Sequence, residues 1–174
     1  MGDSAVWVAA FTGGTAVLAG WVTNLGNVRA ARVQAEASAR AERLGRVRES
    51  RRAAYADFMA QAHAKGELYW KGDFLLHGGS PPAAPTGLDD LRAELRSAYD
   101  LLLHRVRIVA LEGPAPAATA AQAVLEAARR ANGALYRHSL GEAGARDLFD
   151  EARQGFTRCL AEFVEVARAA TEAS

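Results

Sequence analysis

ARDLFDEARQGFTRCLAEFVEVARAATE, residues 145–172, sets Phe149, Ala152, Phe156, Cys159, Phe163, Val166 and Ala170 at alternating spacings of three and four. That spacing lines apolar side chains along one face of an α-helix, whereas a strand would alternate them with period two. The helix therefore needs partners, and the segments before it supply them. The stretch from Gly141 to Gly144 can end a preceding helix over 116–139, opened by Pro116 and carrying Val124, Ala128, Ala131 and Leu135. By composition this is the least hydrophobic of the set. Another helix is expected over 87–112, with Thr86 as N-cap and Asp89 three residues on, a face of Leu88, Leu91, Leu95, Ala98, Leu102 and Val109, and a stop at Gly113-Pro114. The cluster GGSPPAAPTG, residues 78–87, separates it from a proline-free run over 27–76 that is rich in alanine, arginine and glutamate. In that run Val33, Ala37, Leu44, Val47, Ala54 and Phe58 form a stripe that strengthens towards Tyr55, Phe58 and Met59, so packing should begin in its second half. Short connections favour antiparallel neighbours. The expected fold is all-α: a long arginine-rich helix continuing into an antiparallel four-helix bundle, with residues 27–174 as the helical domain.

Ahead of that domain, residues 1–26 read as a membrane anchor and its exit. Ala5 to Val22, AVWVAAFTGGTAVLAGWV, is eighteen residues without a charge. At helical rise it spans about 27 Å, close to the hydrocarbon thickness of a bilayer. Trp7 and Trp21 lie near its two ends, where an indole ring favours the lipid–water interface. Asp3 alone carries charge before the segment and many arginines follow it, so the positive-inside bias puts the N-terminus outside and the C-terminal domain in the cytoplasm. A cleaved signal would need a basic start, which is absent. A soluble hairpin helix is the competing reading, since Gly13, Gly14 and Gly20 dilute the hydrophobicity. Ala9, Gly13, Ala16 and Gly20 share one face at small-residue spacing and form a candidate helix-association surface.

Just beyond the anchor, Arg29, Arg32, Arg40, Arg43, Arg46, Arg48, Arg51 and Arg52 stand against Glu36, Glu42 and Glu49, a local excess of five positive charges. Beside a bilayer such a run contacts anionic head groups at roughly 1 kcal/mol per residue, and Arg29, Arg32, Arg40 and Arg43 are the candidates to reach them. Over the whole chain the charge is only +1, from 21 basic and 20 acidic residues. No global field marks a nucleic-acid binder, and the arginine run lacks interleaved aromatics, so no nucleic-acid partner is expected.

The chain is poor in recognisable chemistry. Cys159, the single cysteine, sits on the apolar stripe of the last helix, where it should behave as a small buried hydrophobe. A di-metal carboxylate bundle needs Glu-x-x-His motifs, and there are none. His63 with Glu67, Asp100 with His104 and His138 with Glu142 are i,i+4 pairs, a spacing more typical of solvated helix faces than of metal sites. No nucleophile elbow, phosphate loop or dinucleotide fingerprint occurs. No cofactor, metal or catalytic residue is expected. An enzyme would need Asp100, His104 and His138 to gather in one pocket.

Arg51-Arg52-x-x-Tyr55-x-x-Phe58, preceded by the exit residues Asn24, Gly26, Asn27 and Arg29 and an N-terminal apolar segment, resembles the layout of small actinobacterial proteins with a membrane anchor and a helical body. The resemblance covers about the first seventy residues and implies a bacterial inner-membrane setting, single-pass. That group has no assigned activity, so no site residue is carried over. The function expected is a membrane-tethered helical interaction or scaffold protein that binds lipid and protein, itself included. The alternative is a sensory or regulatory module taking a small apolar ligand, with Tyr69, Trp70 and Phe74 as lining.

Overall fold

The computed structural model describes the backbone of residues 3–77 and 85–172, and the side chains of residues 31–76 and 87–172. The described residues form four α-helices and no strand: α1 (Asp3–His77), α2 (Pro85–Glu112), α3 (Ala115–Ser139) and α4 (Ala145–Glu172). The last three match the expected spans closely. The start of α2 is the exception, because Pro85 takes the first helical position and Thr86 falls inside the helix rather than capping it. Proline suits that position, since its fixed φ is already helical and its missing N–H would have had no partner. Pro114 precedes α3 in extended conformation, φ −69° and ψ 160°. Gly141 and Gly144 both adopt φ +76°, the left-handed region that stops α3 and turns the chain into α4.

The chain divides into two compact units, Met1–Arg46 and Val47–Ser174. In the first, every described side chain, 31–46, is exposed, Val33 and Leu44 included. Among the described residues of this unit, Arg40 and Glu36 form an intrahelical ion pair at 3.9 Å. The division falls inside the helix expected over 27–76, because the apolar stripe meets core only once it reaches Ala54, Tyr55 and Phe58. Among the described residues no helix is long and apolar enough to cross a membrane. The expected anchor Ala5–Val22, with Trp7, Trp21 and the face Ala9, Gly13, Ala16 and Gly20, lies outside the residues whose side chains are described, as does Arg29.

The second unit is an antiparallel bundle. Along α1 and α2 the partners run in opposite order: Arg51 Nε donates to Glu112 O (3.1 Å), Arg105 pairs with Asp57 (2.9 Å), and Lys71 pairs with Glu94 (3.0 Å). The α1–α4 seam is aromatic and equally antiparallel. Tyr55 meets Phe163 edge-on with ring centroids 5.8 Å apart, Phe58 lies 4.4 Å from Phe163, and Tyr69 meets Phe156 and Phe149 at 5.2 and 6.1 Å. Phe149, Phe156 and Phe163 are fully buried at successive intervals of seven, each worth about 3–5 kcal/mol against truncation to alanine. On the far side, α3 buries Ala117, Ala121, Ala127, Ala128, Ala131 and Ala134 beside Val124, Leu125 and Leu135. Methyl side chains let backbones approach, and α3 lies at short backbone distance from both α2 and α4. The helix that looked least hydrophobic therefore gives the most residues to the core. At the α2–α3 turn, glycine is required: a Cβ on Gly113 would sit 2.8 Å from both Tyr55 Oη and Val109 O.

Candidate functional site

Two polar features stand out in a bundle that is otherwise apolar inside and mixed in charge outside. The first lies in the core. Phe58, Ala62, Lys65 and Tyr69 continue the α1 stripe at spacings of four, three and four, so position 65 is a core position by register. Its lysine is completely buried. Lys65 Nζ donates to Leu95 O at 2.8 Å and lies 5.4 Å from the Tyr69 ring centroid and 5.6 Å from that of Tyr99. The two rings offer their negative faces to the ammonium. Burial pushes the Lys65 ammonium down to about 8, against the opposing pull of the Asp100 carboxylate, which favours the charged form. Tyr69, also buried, donates to Ala128 O (3.0 Å), with Asn132 Oδ1 at 3.1 Å. Its hydroxyl is pushed well above the ordinary tyrosine value by burial and then by Tyr99. The centre ties α1 to α2 through Leu95 and to α3 through Ala128. It is sealed from solvent, so its chemistry is structural: a proton gained or lost at Nζ changes packing, not a substrate.

The second feature is on the surface. A groove of about 720 Å³ runs between α3 and α4, with Arg129, Arg130 and Arg137 on one side and Arg158 on the other. Ala134 and Ala152 contribute at its base, and Gly133 and Gly155 contribute no side chain at all. Leu148, substantially exposed, and Glu151 complete the α4 side. Arg129 pairs with Glu126 at 2.6 Å, but Arg130, Arg137 and Arg158 form no ion pair among the described residues. Four guanidinium groups against two carboxylates, Glu151 in the lining and Glu126 on Arg129, leave the groove two charges positive.

The residues singled out from the sequence do not converge. His63 Nδ1 lies 2.8 Å from Met59 O of its own helix, and none of the three histidine–carboxylate pairs forms an ion pair. Among the described residues no group of three or more His, Cys, Asp or Glu side chains is placed to hold a metal ion. Tyr69 belongs to the core, while Trp70 and Phe74 are 61% and 73% exposed, so the three rings do not enclose one cavity. Trp70 is instead stacked under the Arg153 guanidinium, 4.6 Å from its ring centroid. Cys159 is half-buried rather than buried. Arg32, Arg40 and Arg43 are exposed. Sequence reasoning missed both polar features. Lys65 was open to detection as one of two lysines in an arginine-rich chain, standing at a core register. The groove was not, because Arg130 and Arg158 become neighbours only through the α3–α4 pairing.

No protein-family model matches the chain, and comparison with curated proteins and with solved structures likewise returns no match.

Proposed function

We propose that this protein is a membrane-tethered helical interaction or scaffold module that self-associates. The observation that supports the reading is the first unit of α1, where residues 31–46 are exposed throughout although Val33, Ala37 and Leu44 recur on one stripe. A single helix with an apolar stripe in water is marginal and gains most of its stability from a partner. Arg32, Arg40 and Arg43 flank that stripe, and the uncharged segment Ala5–Val22 precedes it. In this reading the segment spans a bacterial inner membrane with the N-terminus outside. The arginines then meet anionic lipid on the cytoplasmic side, and the stripe pairs with a second copy. A sensory module for a small apolar ligand has less support, because Tyr69 and Trp70 share only a small concavity of about 170 Å³ that Phe74, itself exposed, does not line.

The test separates tether from association. Full-length protein and a version beginning at Asn27 are fractionated with alkaline carbonate and high-salt washes, and full-length Leu44→Glu is cross-linked in membranes beside the parent chain. The expected result is a full-length pellet that resists both washes, a soluble truncation, and cross-linked dimer that Leu44→Glu abolishes. A full-length chain found in the soluble fraction ends the tether reading, and dimer unaffected by Leu44→Glu ends the stripe as its interface.

A further inference from the structure

We propose that the α3–α4 groove is a binding site for a soluble small molecule carrying two or more phosphoryl groups. The charge sets the class of ligand. Arg130, Arg137 and Arg158 converge on one concavity without acidic partners of their own, and guanidinium forks match phosphoryl oxygens two at a time. A phosphoryl group carries about −1.5 to −2 charges near neutral pH, so a diphosphate neutralises these three guanidinium groups with few atoms where carboxylates would need three separate groups.

Shape favours a small molecule over a surface. About 720 Å³ lies within the ordinary range of small-molecule sites, and a flat bilayer does not enter a concave groove. Single-stranded nucleic acid is held through aromatic stacking platforms, and no aromatic lines this groove.

The glycines give an independent argument. Gly133 and Gly155 sit inside α3 and α4, where glycine costs about 1 kcal/mol relative to alanine. A Cβ built at either position meets nothing within 4 Å, so packing within the chain does not call for glycine. Both open on the groove from opposite helices, and the missing side chains leave room for a ligand against the backbone. Glu151 works against anion binding and limits the net charge.

Isothermal titration calorimetry on the full-length chain in detergent, at low and physiological salt, tests this with pyrophosphate and ATP as probes and sulfate as the simple-anion control. Saturable, salt-sensitive binding of pyrophosphate or ATP is expected, and not of sulfate. Arg137→Ala and Arg158→Ala should each weaken it about tenfold, the loss of one charge-assisted contact. The double variant Gly133→Ala/Gly155→Ala should melt at a higher temperature than the parent yet bind at least several-fold more weakly, a combination that misfolding cannot produce. Glu151→Gln should bind more tightly. Three outcomes overturn the proposal: no saturable heat from either phosphate, affinity indifferent to the arginine and glycine variants, or equal binding of sulfate. If the free anions are silent while vesicles containing phosphatidylglycerol retain the protein through Arg137 and Arg158, the groove is a lipid-facing surface and the small-molecule assignment falls.

Discussion

Lys65 shows how a single residue couples the core to proton concentration. Its ammonium is buried with one backbone acceptor and two ring faces, and the groups that face it are Asp100, Tyr69 and Tyr99. In the unfolded chain the amine titrates near 10.5 and in the folded chain near 8, so between those values the unfolded state binds more protons. Stability therefore rises as pH rises through that window, and below pH 8 the burial penalty is present in full. The span is worth roughly 3 kcal/mol at most. Urea midpoints measured at pH 7 and pH 9.5 should increase with pH in the parent chain. Lys65→Met, which fills the same volume without a charge, should be at least as stable as the parent at pH 7 and should lose that increase. A parent chain whose midpoint is flat or falls across the window would show that Lys65 is not the group in control. Register alone made position 65 legible as core in the sequence. The identity of its partners was not, because Leu95 and Tyr99 come from a helix thirty or more residues away.

Among the elements, α3 shows why a hydropathy reading misjudges a helix. Alanine scores low on transfer scales because its methyl is small, yet the same smallness permits close backbone approach and complete burial. The stripe Val124, Ala128, Ala131 and Leu135 was readable from spacing, and all four residues are buried. What spacing could not convey is that Ala117, Ala121, Ala127 and Ala134 join them, so that α3 is buried against both neighbours. The tight fit predicts intolerance to added volume. Ala128→Leu should destabilise the bundle by about 1–3 kcal/mol or more, read as a lowered urea midpoint. Thr119→Leu, at an exposed position of the same helix, should leave the midpoint within about 0.5 kcal/mol of the parent. Equal effects from the two would mean that α3 is loosely packed.

For the whole molecule, the antiparallel order was legible because the connections after α2 and α3 are too short for anything else. The division at Arg46 and Val47 was not, since the apolar stripe crosses it without interruption and only the absence of a facing helix marks it. Every buried apolar residue among the described ones lies at Ala54 or beyond. Removing residues 1–46 should therefore leave the cooperative melting of the bundle at the parent's midpoint, followed by far-ultraviolet circular dichroism. A large drop would place part of the core in the first unit. Within the bundle, the helices are held in two different ways. α3 packs on α2 and α4 largely through alanine methyls, whereas α1 packs through the long side chains of Tyr55, Phe58, Lys65 and Tyr69. In the language of amide hydrogen exchange, α1 from Ala54 onward shares one core with α2, α3 and α4 and should be protected with them as a single foldon, whereas the amides of residues 31–46, where no side chain is buried, should exchange fast.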